Sequence, residues 1–280
     1  MRYDLVERDG EDLLIARTGT GLGVLRHDQD ARTAGRLTPK ARVKARENSL
    51  LVLTKANSRS TVHRAGYLDY IGVKVFDDQG RVTGERRFLG LYASTAYTAD
   101  VRDVPVIRRK AEAVLAAGGF SADSHSGKDL LEILQVYPRD ELFEIHPETL
   151  AWVAMTVMQL QERRRTRLFL RVEDYGRYVS CLVFLPRDRY VTSVRLAIER
   201  VLREAIGANT ADYTARVTES VLARLHFVVR VEPGAAVPEL DLAALEEQLV
   251  ELTRSWDDDF AEAAAQEAGD IDGARLVREW

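Results

Sequence analysis

Between Thr54 and Arg64 the chain crowds Lys55, Ser58, Arg59, Ser60, Thr61, His63 and Arg64 into one polar run, with apolar stretches on either side that read as strands. Cations, hydroxyls and loop amides this close together can converge on a phosphate or another anion. Hydroxyls beside an imidazole also raise nucleophilic catalysis, with Ser58 or Ser60 as nucleophile and His63 as base. That chemistry needs a defined geometry, which local spacing does not supply, and no GxSxG elbow accompanies the run. The plainer reading is a polar connection that hydrogen-bonds within itself and to a neighbouring domain. It ranks first here, with an anion site second.

A second candidate is the stretch LPRDRY at 185–190, which leads from a strand into a helix N-terminus. Free N–H groups and the helix dipole favour negative charge there, and Arg187 and Arg189 add to it, although Asp188 can pair with either. Other chemistry finds little support. Gly19, Gly21 and Gly23 lack the third glycine and the following helix of a dinucleotide fingerprint, so they read as turn residues. No HxxxH or CxxC spacing offers a metal site, and Asp257, Asp258 and Asp259 read as a solvated acidic face. His27, His125 and His146 fall in turns or caps. His226 alternates with apolar neighbours, facing solvent or making a structural hydrogen bond. Cys181, the sole cysteine, reads as a small buried side chain.

These residues must be held by a globular scaffold. The 280 residues are 46% hydrophobic and 30% charged, enough for two ordinary domains with proper cores. A single cysteine excludes an intramolecular disulfide and fits a reducing, cytoplasmic setting. No apolar stretch is long enough to span a membrane, and the N-terminus has no signal core. The net charge of -4 argues against a general nucleic-acid binder. The skew of 34 Arg among 40 basic residues is what a GC-rich genome gives.

The element order predicts an α+β protein. Residues 12–19 and 21–28 suggest a hairpin around a glycine turn, and further strands are expected at 50–56, 67–76 and 81–93, the last two joined by the turn DDQG. Helices follow at 103–117 (Asp103 as N-cap, Pro105 in the first turn), from near Ser126 to before Pro138, and from Pro147 in its first turn through 164. The pattern then changes near Arg167. Strands at 167–173 and 177–185, a helix at 191–206, strands at 210–218 and 222–231, and a helix capped by Asp241 give the order ββαββα. A ferredoxin-like arrangement results if strand 167–173 takes the edge position and strand 222–231 lies between its two neighbours, forming a four-stranded antiparallel sheet with helices on one face. Such a sandwich is expected to leave no room for chemistry.

The stretches LVLTKANSRSTVHRAGYLDYIGVKVFDDQGRVTGERRFLGLY (51–92), GKDLLEILQVYPRDELFEI (127–145), GRYVSCLVFLPRDRYVTSVR (176–195) and SVLARLHFVVRV (220–231) resemble the N-terminal, non-catalytic part of the large bacterial NAD-specific glutamate dehydrogenases. The resemblance implies a β-rich PAS-like domain over 1–102, a helical connecting region over 103–165, an ACT-like domain over 166–265, and at 266–280 the start of a truncated continuation. It further implies a regulatory and oligomer-building segment without activity of its own. NAD would belong to the parent enzyme, with no cofactor in this segment. Expected partners are the downstream domains of the same chain, a second copy, and an amino-acid effector, as ACT domains elsewhere take; neither nucleic acid nor membrane is expected. A stand-alone ACT-type amino-acid sensor is the alternative. Pro186 and Arg187 stand where a glycine-bearing turn is usual in ACT sites, which argues against a small-ligand site at that turn.

Overall fold

The computed structural model describes residues 1–29, 35–62, 66–163, 165–218, 220–232 and 235–255, with 259–260, 263–264, 267–268 and 275 beyond them. The chain divides into two units, Met1–Ala154 and Met155–Trp280.

The first unit holds an antiparallel six-stranded sheet of β1 (Arg2–Arg8), β2 (Glu11–Ala16), β3 (Gly35–Arg36), β4 (Leu51–Ser60), β5 (Gly66–Phe76) and β6 (Val82–Gly90), in the order β3-β2-β1-β6-β5-β4. Helix α1 (Pro39–Arg46) precedes β4. The expected hairpin of 12–19 with 21–28 does not form. Residues Gly23–Gln29 make a 3₁₀ turn, and β2 pairs instead with β1, closing at Arg8 and Glu11. Asp9 and Gly10 between them have φ of 53° and 75°. An Asp-Gly pair with both φ positive is the turn that matches strand twist, so it wins over the glycines further on. The β5–β6 hairpin turns where expected: Asp77 Oδ1 accepts from the amides of Gln79 and Arg81 at 3.0 and 2.8 Å.

Five helices follow in this region: α2 (Ser94–Thr98), α3 (Ile107–Gly118), α4 (His125–Val136), α5 (Arg139–Glu144) and α6 (Pro147–Arg163). α3 begins at Ile107 and not at Asp103, because Val106 at its N-cap takes φ 71° and ψ -54°, which breaks any helix running in from Asp103. Of the apolar face expected there, Val104, Ile107, Ala111, Val114 and Leu115, all are buried except Leu115, which is half-buried, and Gly119 closes the helix at φ 69°. α4 is capped by Ser124, whose hydroxyl accepts from the Gly127 amide. Pro138, read as a stop, also serves as N-cap of α5. Lys110 Nζ then donates to the carbonyls of Leu142, Phe143 and Ile145 at 2.8, 2.8 and 2.7 Å, satisfying acceptors that the end of a short helix leaves open.

The second unit contains β7 (Arg167–Val172), β8 (Tyr178–Pro186), α7 (Thr192–Ile206), β9 (Ala211–Arg216), β10 (Leu222–Arg230) and α8 (Leu242–Thr253). Its strands form one antiparallel sheet in the order β7-β8-β10-β9. β7 is thus an edge strand beside β8, and β10 lies between β8 and β9. The turn between β7 and β8 is organised by Glu173, whose carboxylate accepts from the amides of Tyr175 and Arg177 and from the Arg177 guanidinium at 2.6 Å. Alternate residues Val179, Cys181, Val183 and Leu185 of β8 and Ala223, Leu225, Phe227 and Val229 of β10 meet Ile198, Leu202 and Ile206 of α7 and Leu245 and Leu249 of α8. Period-two strands and 3.6-period helices therefore close one core, with both helices on the same sheet face. The other face of β8 is also withdrawn from solvent, and there Ser180 Oγ and His226 Nε2 share a hydrogen bond of 2.9 Å. His226 is buried, so the solvent-facing alternative for it is corrected in favour of the structural bond. Trp256, Asp257 and Asp258 lie outside the described residues; Asp259 accepts from Arg254 Nε at 2.7 Å.

Candidate functional site

The polar run at 54–64 is not the loop that its composition suggests. Through Ser60 it is strand β4, paired with β5, with a register slip between Lys55 and Arg59. Lys55 points inward: its ammonium lies 2.5 Å from Asp69 Oδ1 and 2.9 Å from Asp140 Oδ1. Burial alone would push the Lys55 pKa down, but the two carboxylates outweigh it and raise the pKa above the ordinary lysine value. Ser58 and Thr61 are exposed, Arg59 stacks 4.5 Å above the Tyr67 ring, and Ser60 Oγ donates to the Val62 carbonyl. Among the described residues of the run, these contacts share no common point. His63 and Arg64 lie outside the described residues, so the constellation of Ser58 or Ser60 with His63 has no described geometry.

The second candidate splits. Arg187 Nη1 donates outward to the Thr218 carbonyl at 3.1 Å, while Arg189 lines a cleft of about 910 Å³ in the second unit. A space of this size was not foreseen in a sandwich expected to leave no room for chemistry. It is lined by the C-terminal half of α6, the start of β7, the turn after β8 and the last turns of α8. The cations on it are Arg165, Arg167, Arg189 and Arg254, and the carboxylates are Asp188 and Glu246.

Its walls are tied together by buried polar contacts. Thr166 and Thr253 share a hydrogen bond of 2.7 Å, and the Thr253 hydroxyl also reaches the Leu249 and Val250 carbonyls. Glu246 spends one oxygen on Arg167 Nη1 at 2.7 Å and the other on the Leu168 amide at 2.9 Å. β7 is thereby fixed to α8, and Arg167 is held with it. Asp188 is largely exposed and sits 3.6 Å from Arg189 Nε. Arg254, the C-cap of α8, pairs with Glu251 and Asp259, both mostly exposed. Arg165, Arg167 and Arg254 were not among the residues that sequence reasoning singled out. The arginines at 163–165 beside a predicted strand were the available signal.

Hydroxyls, an amide and guanidinium groups facing one space can hold an anion. Among the described residues, no group of three His, Cys, Asp or Glu side chains is placed to hold a metal ion, and no helix is long and apolar enough to cross a membrane.

Comparison with known proteins gives this architecture a family. Residues 167–257 match the glutamate dehydrogenase ACT2 domain, and residues 104–163 match glutamate dehydrogenase helical motif 1. An NAD-specific glutamate dehydrogenase of Halomonas elongata is 41% identical over 280 residues, covering 96% of this chain and 17% of that protein. Those of Pseudomonas aeruginosa and Mycobacterium tuberculosis are 39% and 36% identical, over 84% and 92% of this chain and 14% and 16% of theirs. The chain therefore spans about one sixth of the length of these relatives. Over that span it belongs to the family of the NAD-specific glutamate dehydrogenases, in the region that carries helical motif 1 and the ACT2 domain.

Proposed function

We propose that this chain is a non-catalytic segment of a large NAD-dependent glutamate dehydrogenase, and that it regulates and assembles the enzyme rather than turning over substrate. The parent reaction would be the oxidative deamination of L-glutamate to 2-oxoglutarate with NAD, carried out in the cytoplasm by domains outside these residues. Residues 1–102 would be a PAS-like domain, 103–165 a helical connection and 166–265 an ACT-like domain of ferredoxin-like topology with β7 as the edge strand.

The observation that carries the reading is the ACT2 match over 167–257, laid on a sheet with two helices on one face whose cleft offers arginines and threonines in place of a nucleophile beside a base. The cations of the first unit support it as well: Lys55, Lys110 and Arg46 all hold interior carboxylates or carbonyls. Downstream domains of the same chain and a second copy are the partners this role requires.

An assay of glutamate-dependent NAD reduction tests it directly. The 280-residue chain is expected to show none, while a full-length enzyme carrying it turns over. Light scattering of the chain is expected to show self-association. Turnover by the chain alone would overturn the reading.

A further inference from the structure

We propose that the open face of the six-stranded sheet in the first unit is a docking surface for an acidic amphipathic helix, supplied by the parent enzyme from outside these residues. Strand pairing fixes which side chains share that face. Leu53, Ile71 and Phe88 lie abreast on β4, β5 and β6, with Leu51, Val73 and Arg86 on the next row, and Arg86 stands opposite Arg2 of β1. Val75, two residues on from Val73, extends the apolar patch. Phe88 is 55% exposed, and Leu51 and Val75 are 41% and 39% exposed, while Leu53, Ile71 and Val73 are half-buried.

This layering inverts that of an ordinary one-sided sheet, whose covered face is apolar and whose open face is polar. Asp12, Thr54, Lys74 and Glu85 are buried on the opposite face. There Arg46 of α1 holds Asp12, and Lys74 Nζ donates to the Lys44 and Glu47 carbonyls at the end of α1. A contiguous apolar patch left open on the other side marks a surface that a further element covers.

Charge says what kind of element. Arg2 and Arg86 are exposed like charges placed directly opposite one another, an unfavourable cross-strand pair, and neither guanidinium has an ion pair among the described residues. The carboxylates that the strands carry on this face are committed elsewhere. Asp4 gives both oxygens to Arg17, Glu11 pairs with Arg42, and Asp69 holds Lys55. Asp69 is also four residues along β5 from Val73, about 13 Å away. A second copy of the same face would bring four guanidinium groups together, which disfavours a face-to-face dimer. Carboxylates beside an apolar stripe meet both demands. The aliphatic side chains sit on β4 and β5 and the two cations on β6 and β1, so a helix about 10 Å across, laid along the strands, would set its stripe over β5 and its acidic flank over the cations. The run from Ile71 to Val75, about 13 Å, matches roughly two to three helical turns. The relatives are about six times as long as this chain, so the same enzyme can supply the helix.

The source of the helix rests on the proposed function, whereas the apolar face does not. The test is thiol labelling of Phe88→Cys in the 280-residue chain and in the full-length parent, read by mass spectrometry of the peptide carrying residue 88. Labelling should be at least about tenfold slower in the parent, because only the undocked fraction reacts. Adding Arg86→Glu should restore most of the rate, while Arg109→Glu, the same change of charge on α3, should restore none. In a parent carrying Arg86→Lys, a zero-length carbodiimide should join the new amine to an aspartate or glutamate outside these residues, in a segment whose apolar residues recur every three to four positions. Equal labelling in chain and parent, protection that Arg86→Glu leaves intact, or links only between two copies of this sheet would overturn the proposal. Turnover by the 280 residues alone would overturn the segment reading, while the labelling rates still decide the docking face.

Discussion

Lys55 Nζ stands 2.9 Å from Asp140 Oδ1 and 2.5 Å from Asp69 Oδ1, so one cation on β4 joins strand β5 to the first turn of α5. Asp140 also accepts from the Tyr97 hydroxyl, and Asp69 from the Tyr92 amide. Asp69 is 3% exposed. Lys55→Met would strand that carboxylate in the interior, a loss expected at about 3–5 kcal/mol in urea unfolding, since removing one partner of a buried pair leaves an uncompensated charge. Adding Asp69→Asn to Lys55→Met should recover part of the loss. The raised Lys55 pKa fixes the sign of the pH effect: its contribution is complete below the ordinary value of about 10.5 and disappears as pH climbs through the folded-state value. Alkaline destabilisation above that point should therefore be shallower in Lys55→Met. Equal alkaline slopes in the two proteins would show the pair to be inert.

At the other end of the same sheet, Arg46 on α1 grips Asp12 on β2 through two bonds of 2.7 and 2.5 Å. Those hydrogen bonds, against a smaller opposing effect of burial, hold the Asp12 carboxyl below its usual range. A depressed carboxylate stabilises above its unfolded value of 3.8 and loses that contribution as pH falls through the folded one. Asp12→Asn is thus expected to flatten the fall in stability below about pH 4, as followed by circular dichroism at fixed urea. A profile superimposable on that of the unaltered chain would count against the pair.

The second unit was largely legible in the sequence because two clean periodicities meet there. β8 and β10 alternate, α7 repeats every three to four residues, and Gly207 marks its end, so the order and the place of β10 followed from packing. In the first unit β1 went unread, since RYDLVER carries few apolar residues and the Asp9-Gly10 turn was overshadowed by three later glycines. α5 has six residues, too few to show a period. Spacing placed Lys55 and Ser58 near one another but could not tell which side chain turns inward. The cleft was out of reach for a stronger reason: Arg165 and Arg167, Arg189, Glu246 and Arg254 come from separate parts of the chain and meet only in the folded sheet.

The pairing of β1 with β6 rests on Gly84. A Cβ at that position would lie 2.2 Å from the Tyr3 carbonyl oxygen, on the strand that faces it. Backbone cannot yield as a flexible side chain can, so Gly84→Ala should push β1 away and cost about 1–3 kcal/mol. Hydrogen exchange should locate the damage, with faster exchange at the amides of β1 and β2 and little change in β5. A stability loss below about 0.5 kcal/mol would mean the strands can part without penalty.

Val106 carries the opposite expectation. It is a β-branched residue at φ 71° and ψ -54°, close to the strained γ-turn region that non-glycine residues avoid. Its side chain is only partly buried, so little packing is lost on truncation. Val106→Gly removes the steric conflict of Cβ with the backbone, worth about 1–3 kcal/mol, and returns roughly 0.5–1 kcal/mol through the freer unfolded chain. The net should be a gain of about 1 kcal/mol, read as a higher urea midpoint at constant slope. Val106→Ala keeps the Cβ and should gain nothing, which separates relief of strain from loss of the isopropyl group. Equal midpoints for the glycine and alanine variants would refute the strained entry into α3.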